Sequence, residues 1–174
     1  MSWGADCLRK KKKRARIGRK AERTSEMAVL NGLEPQRVFY YFEEICKIPH
    51  GTFHTKRISD YCVKFAKEHG LRFWQDEADN VVICKSGSTG YETSETVILQ
   101  GHLDMVCEKT SDSDPDFERE GLDIYVKDGY VMARNTSLGG DDGIAVAMAL
   151  AVLESEELCH PPLEVVFTAD EESG

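Results

Sequence analysis

Three short motifs of histidine and carboxylate residues mark the places where this chain could do chemistry. They are GHLD at residues 101–104, GGDDG at 139–143 and DEE at 170–172. Imidazole and carboxylate groups without cysteine are typical ligands of hydrolytic zinc, manganese and cobalt sites. If folding brings the motifs together, they could hold two metal ions about 3.5–4 Å apart that share one carboxylate.

The first motif places His102 and Asp104 directly after the apolar segment 97–100. Residues two apart in an extended chain point the same way, so both side chains are expected on one side of the strand end. A metal-binding imidazole usually donates its other N–H to a carboxylate, which fixes its tautomer. The motif can supply both groups, although a histidine in such a triplet is more often an ordinary surface or core residue.

The second and third motifs each have a structural and a functional interpretation. Asp141 and Asp142 precede an apolar helical segment, where aspartate is a common cap, but one of these carboxylates could instead bridge two cations. Glu171 and Glu172 follow an apolar strand, and adjacent carboxylates repel each other unless they are solvated or bound to cations. They form either a solvated acidic turn or a pair in which one binds a metal and the other takes a proton from water.

Apolar spacing predicts the elements that position these motifs. It indicates two amphipathic helices and one helix that is apolar nearly all round, together with six strands and a hairpin turn at Asp128-Gly129. This order predicts an α/β fold with a mixed β-sheet flanked by helices, and with the motifs at the carboxyl ends of strands. The helices are predicted at 35–48, 55–69 and 143–153, and the strands at 71–75, 81–85, 97–100, 124–126, 130–133 and 163–168.

The composition favours a cytoplasmic protein with no membrane partner. The 174 residues contain 41% apolar residues, enough for the core of one domain. No apolar run reaches the roughly 18–20 residues that cross a bilayer, and the start of the chain is charged rather than apolar. The six cysteines form no close pairs, so reduced thiols are expected.

The net charge of −9 hides an asymmetry along the chain. Residues 1–26 contain ten Lys or Arg and three Asp or Glu. Residues 27–174 contain 12 Lys or Arg and 28 Asp or Glu. The acidic body suits cations, and nucleic acid is not expected as a partner. Residues 1–30 are predicted to be a basic, disordered extension and residues 31–174 the folded part. The alternatives for the basic stretch are a functional segment, as a nucleic-acid arm, a membrane-surface patch or a localisation signal, and sequence upstream of a true start at Met27.

Four stretches make the sequence resemble the aminoacyl-histidine dipeptidases, also called cytosol non-specific dipeptidases or peptidase D, among the co-catalytic zinc exopeptidases. They are ICKIPH at 45–50, VILQGHLDMV at 97–106, LGGDDGI at 138–144 and PLEVVFTADEESG at 162–174. The motif order and spacing agree with the family from about residue 33 onward. The resemblance implies a zinc-exopeptidase-like catalytic domain, a small dipeptide as substrate and, for the full-length protein, a homodimer.

The resemblance also implies roles for five residues. His102, Asp141 and Glu172 correspond to ligands of two divalent metal ions, with zinc expected first and cobalt or manganese as alternatives. Asp141 corresponds to the ligand that bridges both ions. Asp104 corresponds to the carboxylate that orients His102, and Glu171 to the general base. The peptide bond between Asp141 and Asp142 is expected to be cis.

Family members are longer than this chain and supply two further metal ligands, an aspartate and a histidine, beyond the region that corresponds to residue 174. The chain is therefore expected to be the N-terminal part of the catalytic domain, incomplete at its C-terminus and inactive alone. Two other functions stay open. One is an N-acyl amino acid deacylase of the same metallohydrolase group, and the other is a non-catalytic protein whose basic arm holds nucleic acid.

Overall fold

The computed structural model describes residues 28–174, so the basic stretch at residues 1–26 lies outside the described residues. No helix in the described part is long and apolar enough to cross a membrane. The described part folds into three α-helices, six strands and one short 3₁₀ helix. In chain order these are α1 Gln36–Cys46, α2 Lys56–Glu68, β1 Arg72–Gln75, β2 Val81–Lys85, β3 Val97–His102, β4 Ile124–Lys127, β5 Tyr130–Ala133, α3 Gly140–Glu154, β6 Leu163–Thr168 and the 3₁₀ helix Glu171–Ser173.

The main sheet has four strands in the order β1-β2-β6-β3. Strand β2 pairs antiparallel with both β1 and β6, whereas β3 pairs parallel with β6. The prediction of a mixed sheet is confirmed. Strands β4 and β5 form a separate two-stranded hairpin that turns at Asp128-Gly129, as predicted.

One apolar core joins the three helices to one face of the main sheet. Val165 and Phe167 of β6 are fully buried there, beside Val81 and Ile83 of β2. The period-2 alternation of a strand places every second residue on the opposite face. Trp74 on that face is 56% exposed, so the described helices cover the sheet on one side only.

Three local differences from the sequence prediction matter for the site. Strand β3 runs two residues further than predicted, because the parallel pairing with β6 continues as far as His102 and Thr168. Helix α3 begins at Gly140 rather than at residue 143, and Asp141 and Asp142 have non-helical backbone angles inside its first turn. The apolar surface of α3 is not wholly buried, since Ile144 is 37% and Met148 53% exposed.

Four cysteines of the described part are free thiols, in line with the expectation of reduced cysteines: Cys46, Cys62, Cys84 and Cys107.

Candidate metal centre

Parallel pairing of β3 with β6 brings the first and third motifs side by side. His102 is the last residue of β3 and lies opposite Thr168, the last residue of β6. The pairing continues one step further, because the Leu103 backbone N–H donates to the Thr168 carbonyl at 2.8 Å. The residues after each strand, Asp104 on one side and Asp170 on the other, therefore leave the same edge of the sheet.

Two glycines allow the second motif to approach this edge. A Cβ at Gly101, in β3, would lie 3.0 Å from Oδ2 of Asp142 and 3.4 Å from Cβ of Ala145. Gly139 has a φ of +65°, which L side chains rarely adopt, and a Cβ there would lie 2.8 Å from Sδ of Met105. Hydrogen atoms at these positions let the start of α3 pack directly against the strand end.

His102 is the centre of the cluster and is buried, with 7% of its surface exposed. Its Nε2 lies 3.1 Å from Oδ1 of Asp141 and 3.9 Å from Oε2 of Glu171. Its Nδ1 lies 3.0 Å from the backbone carbonyl oxygen of Asp104. A carbonyl only accepts, so Nδ1 carries a proton, and in the neutral ring Nε2 presents its lone pair to the carboxylates.

The pKa of His102 is raised above its ordinary value. Burial acts to lower it, but the hydrogen bond to Asp141 and the one to the Asp104 carbonyl act in the opposite direction and prevail. The cluster therefore favours a positive charge at this position. A divalent cation would supply such a charge.

Asp104 links the first motif to the third through the backbone. Its side chain is fully buried, and its Oδ1 lies 3.5 Å from Nδ1 of His102. Oδ1 accepts the backbone N–H of Glu171 at 2.9 Å, and Oδ2 accepts that of Glu172 at 3.2 Å. The hydroxyl of Thr52 also donates to Oδ2, at 2.9 Å. The shortest contact of the imidazole is thus with the Asp104 carbonyl, while the carboxylate holds the loop that carries the two glutamates.

Two groups of potential metal ligands share His102. In one group the ligand atoms of His102, Asp141 and Asp142 lie within 4.8 Å of one another, and in the other those of His102, Glu171 and Glu172 do. One imidazole nitrogen with several carboxylate oxygens is a donor set that zinc, cobalt and manganese accept. A cation would also offset the repulsion among carboxylates held this close. The residues present therefore fit a divalent-metal centre.

The five site residues singled out in the sequence all lie at this edge of the sheet. Asp141 and Glu172 each form a group with His102, but not one common group of three. Asp141 is well exposed to solvent, whereas His102 and Asp104 are buried. The peptide bond between Asp141 and Asp142 is cis, as the resemblance implied.

The structure adds two residues to the five singled out. Asp142, one of the two adjacent carboxylates that the sequence offered as a bridging ligand, belongs to one ligand group. Thr52 is the residue that sequence reasoning missed. Thr52 reaches Asp104 from 52 positions earlier in the chain, and no local pattern announces that contact. His50 and His54 fall outside both ligand groups.

Comparisons with known proteins give the same relationship from sequence and from structure. The chain is 42% identical over 148 residues to the cytosol non-specific dipeptidase of Escherichia coli (strain K12), a match that covers 85% of this chain and 30% of that protein. The structure superposes on the aminoacylhistidine dipeptidase of Vibrio alginolyticus with a TM-score of 0.81 and 40% identity, covering 87% of this chain and 30% of that one. A Staphylococcus aureus tripeptidase matches with a TM-score of 0.64 and 27% identity over 80% of this chain and 37% of its own.

No protein-family model matches the chain. The chain spans about a third of the length of the curated relatives it matches, 30% of one and 32% of another. The α/β fold of this segment is thus shared with solved peptidases, of which it covers 30% and 37% of the length. The chain is therefore a homologue of the cytosol non-specific, or aminoacylhistidine, dipeptidases, and the matched segment covers about 30% of their length.

Proposed function

We propose that this chain forms part of the catalytic domain of a cytoplasmic, metal-dependent dipeptidase that acts on small unblocked dipeptides, including those that end in histidine. The observation that carries the proposal is the pair of ligand groups that share His102. These groups stand at the carboxyl ends of β3 and β6, in a fold that superposes on an aminoacylhistidine dipeptidase with a TM-score of 0.81. The family relationship and the local chemistry therefore support the same reaction class.

The proposed cofactor is a pair of divalent ions, zinc in the first place, with cobalt or manganese as alternatives. His102, Asp141 and Glu172 would be the protein ligands, with Asp141 shared between the ions. Bound ions of this kind polarise a carbonyl group and lower the pKa of water, which makes amide hydrolysis feasible near neutral pH. Asp104 would hold His102 in place through its carbonyl and keep Nε2 available as a ligand atom.

Glu171 is the proposed proton carrier. Its side chain is more than half exposed, and its Oε2 lies 3.9 Å from Nε2 of His102, so it can meet both solvent and the cluster. As water oxygen bonds to the scissile carbonyl carbon, Glu171 would accept the proton that water loses. When the carbon–nitrogen bond breaks, Glu171 would give that proton to the leaving amine.

The complete activity belongs to a longer protein than these 174 residues. The three proposed ligands leave each ion short of the four that a zinc site usually has, and the match covers only 30% of each dipeptidase relative. We infer that the missing ligands and the contacts of a homodimer come from the part outside that match. The 174-residue chain alone is expected to hydrolyse no dipeptide.

The decisive experiment uses the full-length gene product. It should hydrolyse free dipeptides ending in histidine, lose this activity when a chelator removes its metal, and regain it when zinc, cobalt or manganese returns. Preferential hydrolysis of N-acetylated amino acids would instead identify a deacylase with the same centre. If the metal-loaded full-length protein hydrolysed neither substrate, the proposal would be wrong.

Matched variants connect the activity to the named residues. Removing the general base with Glu171→Gln is expected to lower kcat by about 10²–10⁴-fold while the protein keeps its metal. Glu172→Gln should instead weaken metal binding. Glu68→Gln makes the same chemical change at the exposed end of α2 and should leave kcat and metal content as in the wild type.

A further inference from the structure

The loop between α1 and α2 is tied to the strand end that carries Asp104. Gly51 forms a parallel bridge with Met105, and the Met105 N–H donates to the carbonyl of His50 at 3.1 Å. The Thr52 N–H donates back to the Met105 carbonyl at 3.2 Å. A side chain at position 52 is therefore held beside the first motif, although it is distant in the sequence.

The Thr52 hydroxyl has one proton and two acceptors within reach. Oδ2 of Asp104 is 2.9 Å away, and the Met105 carbonyl is 3.4 Å away. A hydroxyl donates a single hydrogen bond, so the shorter contact with the charged acceptor prevails. Oδ2 of Asp104 thus receives the Thr52 hydroxyl on one side and the Glu172 backbone N–H on the other.

A second contact joins the same loop to the glutamate motif. The backbone N–H of Phe53 donates to Oδ1 of Asp170 at 2.7 Å. Phe53 has a φ of 67° and Asp170 a φ of 56°, in the left-handed region that residues other than glycine rarely adopt. Thr52 and Phe53 therefore reach the residues around Glu171 by two routes, one through the Asp104 carboxylate and one directly.

We propose that Thr52 is a positioning residue for the catalytic glutamates, acting through the buried carboxylate of Asp104. This inference rests on the proposed function for the roles of Glu171 and Glu172. The Thr52 hydroxyl fixes the rotation of the Asp104 carboxylate, and that carboxylate fixes the backbone N–H groups of both glutamates. Loss of the hydroxyl frees the carboxylate to turn, so the general base and the ligand shift relative to His102.

The test uses the full-length protein with Thr52→Val, which keeps the branched shape and removes the hydroxyl. We expect kcat to fall about tenfold to a hundredfold with little change in KM, because a small displacement of the base affects the chemical step. Thr52→Ser keeps the hydroxyl and should restore kcat. Thr55→Val is the matched control, since Thr55 is a buried threonine of the same loop that makes no capping hydrogen bond to α2.

Amide hydrogen exchange at Glu171 and Glu172 gives a readout that does not depend on activity. It should be faster in Thr52→Val than in the wild type, Thr52→Ser and Thr55→Val. Unchanged kcat and exchange in Thr52→Val would overturn the inference, as would equal losses in Thr52→Val and Thr52→Ser. If the wild type hydrolysed no dipeptide but exchange still rose in Thr52→Val, the positioning would stand and the proposed function would fall.

Discussion

Asp104 binds Glu171 through the backbone, with Oδ1 of the buried carboxylate accepting the Glu171 N–H at 2.9 Å. The same carboxylate accepts the next N–H, that of Glu172, at 3.2 Å. An aspartate two positions after a metal-binding histidine is commonly interpreted as a partner of the imidazole. Here its carboxylate also holds the backbone of the acidic loop in place.

Changing Asp104 to Asn tests this second role in the chain itself. An amide has one acceptor oxygen in place of two, so the N–H of either Glu171 or Glu172 loses its partner at a partly buried position. We expect the free energy of unfolding to fall by about 1–3 kcal/mol, measured by urea denaturation without added metal. Asp114→Asn on the surface should change it by less than about 0.5 kcal/mol. Equal effects of the two substitutions would show that the buried acceptor contributes nothing.

Gly139→Ala tests whether the start of α3 needs close packing against the strand end. Gly70 offers a matched control, because both glycines have a φ of +65° but a Cβ at Gly70 would meet nothing within 4 Å. The left-handed conformation costs either alanine about 1–2 kcal/mol. At Gly139 the new Cβ would also lie 3.1 Å from Cβ of buried Met105, which cannot swing away as a flexible side-chain end could.

Gly139→Ala should therefore lower the free energy of unfolding by about 1–3 kcal/mol more than Gly70→Ala does. Urea denaturation of both variants and the wild type gives the comparison. Gly139→Ala should also weaken binding of the proposed zinc ions by the full-length protein, because Asp141 moves with the start of the helix. Equal losses of unfolding free energy in Gly139→Ala and Gly70→Ala would mean that Met105 accommodates the new Cβ without a free-energy penalty.

Local elements were predictable because apolar spacing is a local property. The segment 81–85 and the segment 163–168 were predicted as strands with the observed bounds, and α1 and α2 to within one or two residues. Which strands lie side by side depends on contacts between distant residues, so the parallel register of His102 with Thr168 could not be predicted. That register places the first motif beside the third.

The residues that meet at the candidate site were more predictable than the contacts between them. Imidazole and carboxylate residues in short motifs stand out in any sequence, and the described structure brings those motifs together. The bonds from Asp104 to two backbone N–H groups involve no recognisable side-chain pair, and the Thr52 hydroxyl reaches Asp104 across 52 positions of sequence. Such contacts depend on the path of each loop, which residue types alone do not specify.

An ion pair between Arg37 and Glu154 links the start of α1 to the end of α3. Nε and Nη2 of Arg37 donate to the two carboxylate oxygens at 2.6 and 2.7 Å, a bidentate geometry that lysine cannot reproduce. Arg37→Met keeps the apolar stem and removes the charge, and we expect it to cost up to about 1 kcal/mol of unfolding free energy.

The matched control for this ion pair is Lys64→Met. Lys64 and Glu68 are 3.8 Å apart, largely exposed and on one helix, so the loss should be near zero. The cost of Arg37→Met should shrink when the urea titration is repeated at about 1 M salt, because salt screens exposed charges. A salt-independent cost would attribute the effect instead to the stacking of the guanidinium group on Tyr40 and Tyr41.

His50 should make the stability of the fold depend on pH. Burial lowers the pKa of this imidazole below its ordinary value of 6.5, and the hydrogen bond to the Ile48 carbonyl and the charge of Asp104 only partly oppose that effect. The unfolded chain therefore binds a proton at His50 more readily than the folded chain does. Stability from this group is complete above pH 6.5 and is lost progressively as the pH falls toward the lower folded value.

His50→Asn removes the titrating group, and its amide nitrogen can replace Nδ1 as donor to the Ile48 carbonyl, a contact of 2.6 Å in the wild type. The difference in unfolding free energy between wild type and His50→Asn should be larger at about pH 7.5 than at about pH 5.5. Using the difference cancels His102, whose pKa moves in the opposite direction and which both proteins contain. An NMR titration of the ring protons should give a midpoint for His50 below 6.5. A midpoint at or above that value would show that the buried imidazole is stabilised in its charged form, and the sign of the pH dependence would reverse.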